Sequence, residues 1–121
     1  MALDLGVAAI VISNHGGRVL DGTPGVAEVL PEIVERVKGE IFVFADGGIR
    51  SGIDVLKMLA LGANAVLIGR PALWGAFGGG SAGVKLIIEK MTAHNLQQCH
   101  RKQRLTLQQP SHISTAQKPA S

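Results

Sequence analysis

Ser13, His15 and Arg18 lie within six residues of one another, directly after the apolar run at residues 7–12. A hydroxyl, an imidazole and a guanidinium at one rim suit the handling of a small anion together with a proton. An imidazole exchanges protons near neutrality, and a guanidinium holds a carboxylate or phosphate through parallel hydrogen bonds. Ser13 and His15 are two apart, so on a strand they face the same side. Gly16 and Gly17 open backbone conformations closed to residues with a Cβ, and the turn they make brings Arg18 back over the same mouth. A lone histidine at a strand end is more often only solvated or capped, so the reading depends on what the rest of the chain places beside it.

Two further stretches repeat the theme. Asp46-Gly47-Gly48-Ile49-Arg50 follows the apolar run 41–45, and Gly69-Arg70-Pro71 follows the run 65–68. Glycines present bare backbone amides to an anion, arginines add charge, and the N-terminus of a following helix adds a partial positive charge. One such turn is ordinary; two neighbouring copies, each with an arginine, make a phosphate cradle from Gly47, Gly48, Arg50, Gly69 and Arg70. Asp46 is an acid at an anion site, and its type leaves three uses open: orienting Arg50, binding a polyol hydroxyl or capping a turn.

These residues need parallel strands to bring them together. The three apolar runs predict strands buried on both faces, each followed by a loop and a helical pattern. Residues 26–37 carry apolar side chains at helical spacing, with Pro31 expected to restart the helix midway. Ser51 can cap a helix over residues 52–61, where Ile53, Leu56, Leu59 and Ala60 share one face and Gly62 provides the stop. A last helix begins near Pro71, breaks at Gly78-Gly79-Gly80 and resumes over residues 81–93. Three strand–loop–helix units in succession predict right-handed crossovers, with ligands at the carboxyl ends of the strands.

Composition changes abruptly near Ala93. Residues 1–93 hold eight Lys/Arg against nine Asp/Glu, net −1, whereas residues 94–121 hold four Lys/Arg and no acid, net +4. Every glycine lies at or before Gly83 and every glutamine at or after Gln97. The chain therefore divides into a folded α/β part, 1–93, and a basic Gln-rich tail, 94–121, expected to be disordered and to reflect a shifted frame or a spliced junction. A helix end at residues 1–5, stopped by Gly6, further predicts that preceding structure is missing. His94, Cys99 and His100 match no zinc spacing, so no metal is expected. The tail lacks interleaved aromatics, so no nucleic acid is expected either. With one cysteine, no apolar run of membrane-spanning length and an acid at position 4, the chain reads as cytoplasmic.

Residues 13–21, Leu30-Pro31-Glu32-Ile33, residues 46–50, Asp54-Val55-Leu56-Lys57, residues 59–62 and residues 68–74 resemble the C-terminal third of the FMN-dependent α-hydroxy-acid oxidases and dehydrogenases, the family of glycolate oxidase, lactate oxidase and L-lactate dehydrogenase. The resemblance implies an α/β fold comprising the last three (β/α) units of a TIM (β/α)8 barrel. It implies FMN as cofactor and a small L-2-hydroxy acid as substrate, with homo-oligomers among full-length relatives. By that resemblance His15 is the base that takes the hydroxyl proton, and Arg18 clamps the substrate carboxylate. Ser13, Asp46, Gly47, Gly48, Ile49, Arg50, Gly69 and Arg70 hold the flavin. The family's first five strands, with a lysine near the flavin ring and pocket tyrosines, have no counterpart here, so the isolated chain is expected to be inactive. Two alternatives remain open: another phosphate-binding barrel of the IMP dehydrogenase or isopentenyl-diphosphate isomerase type, and a non-catalytic fragment that binds through its strand edges.

Overall fold

A computed structural model describes residues 2–108, with side chains as far as Cys99. Strand β1 (Ala9–Ser13) pairs in parallel with β2 (Phe42–Asp46), and β2 pairs in parallel with β3 (Ala65–Leu67). The register sets Ser13 beside Asp46 and Asp46 beside Leu67, so all three carboxyl ends reach one rim. Helices α1 (Val26–Val37) and α2 (Gly52–Ala60) supply the crossovers, and α3 (Arg70–Gln108) follows β3. Among the described residues no helix is long and apolar enough to cross a membrane.

The core lies between the sheet and its helices. Val43 and Ala45 of β2 are 2% and 0% exposed and pack with Leu30 and Val37 of α1, Met58 of α2 and Met91 of α3. The opposite face is bare: Val11 is 53% exposed and Phe42 61%, and Leu67 is also exposed. This corrects the expectation of strands buried on both faces. An apolar run reports that a strand is meant to be covered twice, but all the helices described here lie on one side of the sheet. The outer edges of β1 and β3 are likewise unpaired among the described residues.

Two helices depart from expectation. Helix α1 is continuous through Pro31. Its buried stripe, Val26, Leu30 and Val37, spans both sides of the proline, and that packing outweighs an interior proline's cost of about 3 kcal/mol. On α2 the side chains turned to the core are Val55 and Met58, whereas Ile53, Leu59 and Ala60 face outward.

Helix α3 breaks at the glycine run, as expected, with Gly79 at φ −163° and Gly80 at φ 56°, ψ −139°. The positive φ is glycine's territory. The helix doubles back so closely that a Cβ on Gly75 would sit 2.7 Å from the Gly83 carbonyl oxygen. Its second half then lies against α2, where a Cβ on Gly52 would strike the Met91 carbonyl. Helix α3 continues through residues 94–108. No glycine or proline occurs between Val84 and Gln109, and Leu, Gln, Lys and Arg are good helix formers. The expectation for residues 109–121 lies outside the described residues.

Ser51 caps α2 as its sequence position suggests. Its Oγ accepts from the Asp54 N–H at 3.3 Å, and Asp54 Oδ2 accepts from the Ser51 N–H at 3.0 Å, the Ser51 hydroxyl at 2.8 Å and the Arg50 N–H at 3.1 Å. Partial burial pushes the Asp54 carboxyl up, but these hydrogen bonds and the Lys57 charge outweigh it and hold the group below its ordinary value. A folded pKa below the unfolded one adds stability that is complete above the unfolded value, near pH 4, and disappears as pH falls through the folded value. Asp54→Asn is therefore expected to flatten the acid limb of a stability-versus-pH curve, at a cost of about 1 kcal/mol at neutral pH, as read by urea unfolding. An unchanged acid limb would contradict this.

Candidate functional site

The end of β1 enters a single 3-10 turn, His15–Gly17, with φ of 55°, 68° and 74° at its three residues. His15 is one of two described non-glycine residues at positive φ. Three bonds to the preceding residues hold the turn. The His15 N–H donates to Ser13 Oγ at 3.0 Å, the Gly16 N–H to Asn14 Oδ1 at 3.1 Å, and the Gly17 N–H to the Asn14 carbonyl at 2.9 Å. Ser13 in turn donates its hydroxyl to Asp46 Oδ2 at 2.6 Å, which fastens the end of β1 to that of β2.

The third rim joins through Arg70, the first residue of α3, whose Nη2 donates to the Gly16 carbonyl at 3.4 Å. A Cβ on Gly16 would lie 3.0 Å from the same Nη2, so the guanidinium passes directly over that glycine. Below it opens a cleft of about 320 Å³ whose walls include Asn14, Gly16, Gly17, Gly47, Gly48, Arg50 and Arg70. Gly47 and Gly48 stand at φ 117° and 73°, backbone that a side chain would strain. The charged side chains lining the cleft are both arginines. Bare backbone, two guanidiniums and the start of a helix suit a doubly charged phosphate monoester.

The structure thus gathers Gly47, Gly48, Arg50 and Arg70 of the expected cradle into one cleft, and Gly69 directly precedes Arg70. Ile49 differs: its side chain is 4% exposed within the core, which leaves only its backbone for a ligand. Asp46 accepts from the Ser13 hydroxyl, a role outside the three that its type left open, and no ion pair or hydrogen bond joins it to Arg50 among the described residues. His15 and Arg18 are exposed, and their side chains make no hydrogen bond among the described residues. Sequence reasoning missed Asn14, although an Asn directly ahead of a turn is a recognisable capping signal.

Residues 1–100 match the family described as FMN-dependent dehydrogenase. The chain belongs to that family. Over 88 residues it is 56% identical to mouse 2-hydroxyacid oxidase 1, covering 73% of this chain and 24% of the relative. Over 87 residues it is 58% identical to L-lactate oxidase of Nostoc sp., covering 72% and 24%. A solved structure of mandelate oxidase with benzoyl-formic acid superposes with a TM-score of 0.75 at 51% identity, covering 78% of this chain and 28% of that one. The chain thus spans about a quarter of the length of the curated relatives it matches. Its three parallel units correspond to part of the TIM barrel of this FMN-dependent dehydrogenase family, as the sequence resemblance implies.

Proposed function

We propose that this chain carries the flavin-phosphate and proton-accepting portion of an enzyme that oxidises a small L-2-hydroxy acid, of the lactate or glycolate type, to the 2-oxo acid. The observation that carries the reading is the cleft in which Gly47, Gly48, Arg50 and Arg70 converge beside the turn that presents His15. The cradle fits FMN, because a Cβ on Gly47 would intrude on Asn14 in the cleft wall and both lining charges are positive. When bound, FMN supplies the hydride acceptor.

The remaining work belongs to the chain's own side chains. Arg50 and Arg70 hold the phosphate dianion, with Gly47, Gly48 and Gly69 presenting backbone and Ile49 contributing its main chain. Ser13 and Asp46, already bonded to each other, meet the flavin and its ribityl chain as a fixed pair. An imidazole nitrogen of His15 takes the substrate hydroxyl proton, so that negative charge on the substrate oxygen favours departure of the α-hydrogen. Arg18, three residues on, pairs with the substrate carboxylate and orients the α-carbon.

Titrating the 121-residue chain with FMN and, separately, with riboflavin tests the reading. Flavin fluorescence is expected to be quenched at lower concentration by FMN, the molecule that carries the phosphate; indistinguishable curves for the two would overturn it. Turnover is a separate matter. A sheet with one bare face leaves the bound flavin open to water, so no lactate- or glycolate-dependent bleaching of FMN is expected from the isolated chain. Observed bleaching would refute that expectation.

A further inference from the structure

Between β1 and the cleft the backbone runs through three consecutive positive φ angles, and the first belongs to His15, a residue for which that conformation costs about 1–2 kcal/mol. Something must hold it there. Of the three hydrogen bonds that do so, two end on Asn14, one on its side chain and one on its carbonyl. The same Oδ1 that accepts from Gly16 also lies against Gly47, where a Cβ would collide with it and come within 3.5 Å of Val26. One atom thus takes part both in holding the His15 turn and in the close approach of the β2 rim to it.

We infer that Asn14 is a positioning residue, a clamp that locks the His15 turn of β1 to the Gly47 loop of β2 and so sets the distance between the proton acceptor and the anion cleft. A neutral acceptor is what this position calls for. A methyl group offers no lone pair to Gly16. A carboxylate would serve Gly16 equally well but would place a negative charge in a cleft lined by Arg50 and Arg70. Gly47 is the other half of the device, since only a residue without Cβ leaves Asn14 Oδ1 its place. The consequence for ligand binding rests on the flavin-phosphate reading above; the clamp itself does not.

Amide hydrogen exchange at Gly16 and Gly17 in the full 121-residue chain, followed by NMR, separates the two. Asn14→Ala is expected to speed exchange at Gly16 about tenfold, the effect of losing one net hydrogen bond, while the thermal midpoint stays close to that of the unaltered chain. Asn14→Asp is expected to restore slow exchange yet weaken binding of inorganic phosphate and FMN. Gly47→Ala is expected to speed Gly16 exchange by displacing Asn14, and Asn14→Ala with Gly47→Ala together should be no faster than the faster single variant, as two halves of one contact require. Unchanged Gly16 exchange in Asn14→Ala, no rescue by Asn14→Asp, multiplied effects in the double variant, or an unprotected Gly16 in the unaltered chain would each overturn the clamp. If the exchange pattern holds while phosphate and FMN bind no variant, the clamp stands and the flavin-phosphate reading fails.

Discussion

Arg70→Met is expected to weaken FMN binding by about ten- to a hundredfold and, combined with Arg50→Met, to abolish the preference for FMN over riboflavin. Hydrogen bonds to a charged group contribute about 1.5–3 kcal/mol, and these two guanidiniums are the charges that line the cleft. Methionine keeps the aliphatic stem, so the change isolates charge from packing. Arg70 also donates to the Gly16 carbonyl, so its replacement should loosen the His15 turn where Arg50→Met does not. Arg36→Met is the control: that arginine pairs with Glu32 on the outer side of α1, and its loss should leave flavin binding unchanged. Fluorescence titration with both flavins reads all four variants, and retained FMN preference in the double variant would remove the phosphate cradle from consideration.

Leu30→Ala should be the most damaging single truncation of the fold. Its side chain is fully buried at 0% exposure and packs in the cluster that holds α1 to β2. Removing three carbons there costs about 2–5 kcal/mol, transfer and cavity together. A domain has only about 5–15 kcal/mol in total, so a large share of the chain's stability is expected to be lost. Phe77→Ala removes more atoms but from a side chain 89% exposed, and should shift stability by less than about 0.5 kcal/mol. Urea unfolding of the two variants side by side decides the matter; a Phe77→Ala effect as large as that of Leu30→Ala would mean that the core lies elsewhere.

The sequence was most legible where chemistry is local. Ser51 as a cap, Gly62 as a stop, the break at Gly79 and Gly80 and the bounds of α1 each follow from one or two residues and their neighbours. That Gly47, Gly48, Arg50 and Arg70 meet at one cleft was legible for a related reason, since parallel strands in succession bring their carboxyl ends to one rim. What escaped depends on neighbours that no local pattern names. Val11 and Phe42 carry the apolarity of doubly covered strands, yet covering is a property of the surroundings. Pro31 breaks an isolated helix but not one pinned on both sides, and the change in composition at Ala93 marks a change of character without ending α3. Ile49 shared the cradle's sequence context while its side chain went to the core. Asn14 was hidden because its partner across the clamp, Gly47, lies thirty-three residues away in the chain.

The bare flanks of β1 and β3 carry a consequence for the chain's solution behaviour. Each offers a row of unsatisfied amides and carbonyls, and the uncovered Val11 and Phe42 surface beside them is greasy. Such borders can template pairing, so the isolated 121-residue chain is expected to self-associate as its concentration rises, with size-exclusion over a dilution series as the check; one unchanging monomer peak would contradict this. Pairing of that kind is second order in chain, whereas folding is first order, so dilution is expected to suppress it without altering the fold.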